Sequence, residues 1–122
     1  MFDHVEINVS DLEASRRFYE QALAPLGYEV SLVSPTFIEL AAAGRGDFGL
    51  VLRDPVSAAV HVAFEARDRA TVDAFHQAAL AAGGRDNGPP GPRPGYGDHY
   101  YAAFVLGPDG HNVEAVTKRP ED

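Results

Sequence analysis

The chain has 122 residues, 45% of them hydrophobic and 23% charged, long enough to bury a core and short enough to be one domain. Its 18 acidic and 10 basic side chains leave a net charge of −8, which keeps the chain soluble and repels nucleic acid and anionic membranes. There is no cysteine, so disulfides and thiolate metal sites are excluded and any metal must be held by nitrogen and oxygen.

Phe2–Val9 alternates, with Val5, Ile7 and Val9 on one face and His4, Glu6 and Asn8 on the other, the pattern of a half-buried strand. Ser10 followed by Glu13 reads as a capping box. The helix after it puts Ser15, Phe18, Tyr19, Ala22 and Leu23 on one stripe, and Pro25 and Gly27 close it. Thr36–Ala41 and Asp47–Arg53 read as strands joined through Gly44-Arg45-Gly46, and Asp54-Pro55 ends this half. Val60–Glu65 alternates again, with Val60, Val62 and Phe64 opposite His61, Ala63 and Glu65.

A second helix from about Arg69 to Ala82 carries Val72, Phe75, His76, Ala79 and Leu80 at helical spacing, and Gly83-Gly84 stops it. The stretch from Asn87 to Gly97 holds four prolines, which exclude helix and central strand, so it reads as a long surface loop. His99–Leu106 and Asn112–Thr117 are the last strands, with Gly107-Pro108-Asp109-Gly110 as their turn. Lys118–Asp122 reads as a charged, fraying tail.

Two stretches repeat. HVEINVSDLEASRRFYEQALAPLGYEV from His4 and HVAFEARDRATVDAFHQAALAAGGRDN from His61 share His, Val, Asp, Phe, Ala-Leu-Ala and Gly in register. The chain therefore reads as one α+β domain, 1–122, built from half-modules at 1–55 and 58–118. If the halves meet at their first strands, His4 and His61 come close together. If each helix packs on the Val/Ile/Phe face of its sheet, both histidines point to the opposite, concave face. Glu114 shares a strand face with Asn112 and Val116 and can join them there. Two imidazoles and a carboxylate make a facial donor set for a first-row divalent ion, with positions left open for substrate. Exposed strand edges and a half-open cavity are most simply closed by a second copy, which predicts a homodimer with the site at or near its interface.

The opening HVEINVSDLEASRRFY, the second-half HVAFEA and the closing AFVLGPDGHNVEAV resemble the vicinal oxygen chelate superfamily, which includes glyoxalase I, extradiol dioxygenases, fosfomycin-resistance proteins and bleomycin-binding proteins. The resemblance covers essentially the whole chain. It implies two βαβββ modules whose sheets curl around a cavity, and a divalent metal (Fe, Mn, Ni, Co or Zn) whose ligands fall on His4, His61 and Glu114. Repeat alignment sets Val51 against Glu114, so the fourth donor of the glyoxalase I pattern has no counterpart, and Gly107 stands where the closing turn often has an acidic residue.

With such a metal, a substrate bearing two adjacent oxygens would chelate the ion, which stabilises an oxyanion. Glu114, Tyr100 and His99 are the candidate catalytic groups, with Glu6, Tyr101 and Glu65 as further proton-transfer or orienting candidates. His76 reads as a helix-to-sheet packing residue, and His111 as structural. A glyoxalase- or dioxygenase-like metalloenzyme acting on a small molecule is one reading. The other is a metal-free protein that sequesters a small molecule or antibiotic in the same cavity. With neither a leader nor a long apolar run, a cytoplasmic location is the expectation.

Overall fold

A computed structural model describes residues 1–120; the end of the charged tail, residues 121 and 122, lies outside the described residues. The first half runs β1 (His4–Val9), α1 (Leu12–Leu23), a 3-10 turn at Ala24–Leu26, β2 (Glu29–Ser34), β3 (Phe37–Ala41) and β4 (Asp47–Leu52). The second runs β5 (His61–Glu65), α2 (Arg69–Ala81), β6 (Arg85–Pro92), a 3-10 turn at Pro94–Tyr96, β7 (Tyr101–Leu106) and β8 (Asn112–Thr117). Each half is a four-stranded mixed sheet, ordered β1-β4-β3-β2 and β5-β8-β7-β6, with the first strand parallel to the last and the other pairs antiparallel. This is the expected α+β pair of βαβββ modules, and the sheets are not closed.

Each helix buries the stripe its spacing announces. Phe18, Tyr19, Ala22 and Leu23 of α1 and Val72, Phe75 and Ala79 of α2 are buried, and the helices pack on their own sheets and on each other. The strand residues that alternate inward, among them Ile7, Val9, Leu50, Phe64, Val113 and Ala115, join them in one core shared by both halves. A chain of rings runs through it from Tyr19 to Phe48 (5.2 Å), from Phe48 to Phe64 (5.4 Å) and from Phe64 to Tyr28 (5.5 Å), crossing from one half to the other. Gly83 takes a left-handed φ of 95° at the end of α2, a conformation that costs glycine nothing. Gly84 answers a different need, because a Cβ there would stand 2.5 Å from Val105 Cγ1 and 2.6 Å from Phe18 Cε1.

Three readings of the sequence are corrected. Ser10 does not cap α1: Asp11 does, accepting from the Ala14 N–H at 3.0 Å. Ser10 instead gives its backbone N–H (3.1 Å) and its hydroxyl (2.5 Å) to Asp109 in the β7–β8 turn, tying the halves together. The proline-rich stretch is not wholly loop. Its first part belongs to β6, an edge strand whose pairing with β7 slips between Asp86 and Gly88 and between Gly88 and Gly91, which is where prolines are tolerated. Finally, β2 forms although no alternation announces it: Leu32 and Val33 are both exposed, so its pattern is set by its edge position.

Candidate functional site

β5 and β8 are parallel neighbours with His61 opposite Asn112 and Ala63 opposite Glu114. Period-2 alternation then puts His61 and Glu114 on the face turned away from the helices. Their side chains meet diagonally, with His61 Nε2 donating to Glu114 Oε1 at 2.7 Å. Glu114 is 1% exposed, and Tyr100, just before β7, donates its hydroxyl to the other oxygen, Oε2. Each oxygen of this buried carboxylate therefore has a donor, as a buried charge requires. Partial burial, and then the bond to Glu114, pushes the Tyr100 phenol up to about 12, so it is a hydroxyl donor throughout the neutral range.

Aromatic rings and cations surround the pair. Phe104 is the β7 partner of Glu114, and its ring lies 6.0 Å from the His61 ring. Arg93 stands 5.5 Å over Phe104 and spends its guanidinium on the carbonyls of Pro89 (2.7 Å), Gly91 (3.0 Å) and Pro92 (3.4 Å), which fastens β6 against that ring. Tyr96 meets Tyr100 edge-on at 5.3 Å, and the Lys118 ammonium lies 5.9 Å from the centre of the Tyr100 ring. Phe104 and Lys118 went unremarked in the sequence, although the alternation that places Glu114 also places Lys118 on its face of β8. Arg93 had no signal at all, since its role depends on how the proline-rich segment folds back.

His4 is placed elsewhere. Its Nδ1 bonds Asp3 Oδ1 at 2.8 Å on an exposed edge, and that hydrogen bond, helped by the charges of Glu6 and Asp47, raises its pKa. Among the described residues no group of three or more His, Cys, Asp and Glu side chains is placed to hold a metal. The reason lies in the seam between the halves. His4 and Val5, at the start of β1, share a cleft of about 470 Å³ with Val62 to Glu65, at the end of β5. Asn8, at the other end of β1, pairs with Ser57 ahead of β5. The two first strands pass each other in opposite senses, so the repeat sends His4 and His61 toward opposite ends of the seam.

The remaining candidates scatter. His99 is exposed in the turn before β7 and has no hydrogen bond or ion pair to a described residue. Tyr101 points to the helix side, where its hydroxyl donates to Asp73 Oδ1 at 2.7 Å. Glu6 and Glu65 are exposed, and the Glu65 carbonyl accepts from Arg45 at 2.5 Å. His76, half-buried on α2, bonds Asp86 at 3.0 Å. His111 is 3% exposed and donates to the Ser57 carbonyl at 2.6 Å, joining the inter-module linker to β8. The strand register also corrects the repeat alignment. Glu6 opposite Gly49 matches Ala63 opposite Glu114, so Gly49, not Val51, is the counterpart of Glu114. No donor stands there, because Phe37 and Glu6 already approach within 2.9 Å and 3.0 Å of where a Cβ would be.

Residues 1–115 match the model of the Glyoxalase/Bleomycin resistance protein/Dioxygenase superfamily, and the chain belongs to that superfamily. Among solved structures it resembles a glyoxalase/bleomycin resistance protein from Albidiferax ferrireducens T118, at 32% identity and a TM-score of 0.81, covering 98% of this chain and 99% of that one. A putative glyoxalase from Bacillus halodurans is 27% identical with a TM-score of 0.74, covering 96% and 95% of the two chains. A glyoxalase/bleomycin resistance protein/dioxygenase family enzyme from Burkholderia phytofirmans PsJN, 21% identical at a TM-score of 0.76 over 96% and 98%, shares the fold. No curated protein matches the chain. Among the described residues no helix is long and apolar enough to cross a membrane.

Proposed function

We propose that this chain is a metalloprotein that binds a small molecule through two adjacent oxygens, with a divalent ion held by His61 and Glu114 of one copy and His4 of a second copy in a homodimer. The observation that carries the reading is the 2.7 Å approach of an imidazole nitrogen to a carboxylate that is otherwise sealed from water. A buried carboxylate with a histidine over one oxygen and a tyrosine hydroxyl on the other fits the nitrogen-and-oxygen donor chemistry of a first-row dication. His4, exposed and on the open face of the other sheet, suits donation across an interface. When bound, the ion supplies Lewis-acid polarisation of the chelated oxygens.

The chain's own residues do the rest. Tyr100 fixes the Glu114 carboxylate in one rotamer, and Phe104 restrains the His61 ring from the side. Tyr96, Tyr100 and Phe104 offer flat apolar surface that excludes water from a bound molecule. The second reading, a metal-free binding protein, is favoured by one observation: His61 and Tyr100 already satisfy both oxygens of Glu114. Calorimetric titration with Mn(II), beside light scattering, separates the two. The metal reading expects a dimer at micromolar concentration that binds Mn(II), with binding lost in both His61→Ala and His4→Ala. A monomer, or unchanged binding in His4→Ala, removes the shared site, and no binding of Mn(II), Fe(II), Co(II), Ni(II) or Zn(II) leaves the metal-free reading.

A further inference from the structure

The collar around Glu114 is asymmetric in charge. Arg93 and Lys118 are the two cations over its rings, but the Arg93 donors are committed to three backbone carbonyls, whereas Lys118 is exposed and makes no ion pair with a described residue. In a chain of net charge −8, most of the surface repels an anionic ligand, so one uncommitted ammonium beside the site matters locally. Glu114, Val116 and Lys118 alternate onto one face of β8 and its continuation, and Tyr100 lies along that face on the neighbouring strand's approach. The Tyr100 ring bridges the two charges, with its hydroxyl on Glu114 and the Lys118 ammonium over its face. The distance from the chelating end of the site to the cation is therefore about the breadth of one six-membered ring. The Tyr96, Tyr100 and Phe104 rings select for a flat ligand by stacking or edge contact.

We infer that the site takes a small planar acid, one six-membered ring carrying two adjacent oxygens at one end and a carboxylate at the other, and that Lys118 reads the carboxylate. The inference rests on the reading of His61 and Glu114 as the chelating end. It makes Lys118 a specificity residue, pairing as a point charge with an anion beside an aromatic wall.

The probes are 3,4-dihydroxybenzoate and catechol, which differ only in the carboxylate, titrated calorimetrically into the protein with and without Mn(II). The acid is expected to bind about tenfold tighter than catechol, the equivalent of about 1.4 kcal/mol. Lys118→Met should erase that preference while leaving catechol affinity within about twofold, and Lys118→Arg should retain most of it. Equal affinities in the wild type, no binding of the acid, or a preference that survives Lys118→Met would each overturn the inference. Failure of Mn(II) to bind while the preference persists removes the metal reading alone. Bound Mn(II) with no preference removes the Lys118 inference alone.

Discussion

Replacing Glu114 by Gln keeps the size of the most buried polar group on the open face and removes only its charge. The structure shows what happens to its partners. The Gln carbonyl can take the Tyr100 hydroxyl, and the Gln amide can donate to His61 Nε2 once that nitrogen is in its lone-pair tautomer. Both bonds survive as neutral ones, roughly half as strong as their charge-assisted forms, and the net cost of such a change is about 1 kcal/mol. For a domain of this size that is about 4 °C in the melting temperature of metal-free protein. Metal affinity should fall much further, by at least about 100-fold, since even residues that merely orient a ligand are worth about 10- to 100-fold. Thermal melts in the presence of a chelator, paired with Mn(II) titration of the same sample, read both numbers. Unchanged Mn(II) affinity would refute Glu114 as a ligand. Loss of about 4 kcal/mol or more in the metal-free state would show instead that the carboxylate is chiefly a structural acceptor.

Two further substitutions test the packing and the caps. Gly84→Ala should cost about 1–3 kcal/mol in urea denaturation, because its methyl would meet Val105, Phe18 and the Ala79 carbonyl, all within 2.8 Å; equal or higher stability would show that the two halves are free to part there. Asp68 caps α2, and its bonds from the Thr71 hydroxyl and then the Thr71 N–H hold its carboxyl below the ordinary carboxylate range. A depressed folded pKa gives stability that is present above the unfolded value and lost as pH falls through the folded one. Asp68→Asn should therefore be less stable than wild type at pH 7, with the gap closing below about pH 4, and a gap that holds steady from pH 7 to pH 2 would contradict the charge as its source.

What the sequence by itself determined is whatever depends on near neighbours along the chain. Alternation in His4–Val9, His61–Glu65 and Asn112–Thr117 was enough to sort core from open face, and the helical stripes named the buried Phe18, Tyr19, Val72 and Phe75. The repeat announced two equivalent modules, and period-2 counting put His61 and Glu114 on one face. Tertiary structure decided everything that depends on which strand lies beside which, and in what direction. Strand pairing made Gly49 the counterpart of Glu114 and turned part of a proline-rich segment into the edge strand β6. It also carried Tyr100 to the Glu114 carboxylate and drew Ser10 away from its helix to Asp109. The opposite senses of β1 and β5 at the seam separated His4 from His61, although the repeat gives them identical local settings. Local periodicity is written residue by residue, whereas register and the docking of two modules are fixed by the summed packing of side chains distant in sequence, which no window along the chain contains.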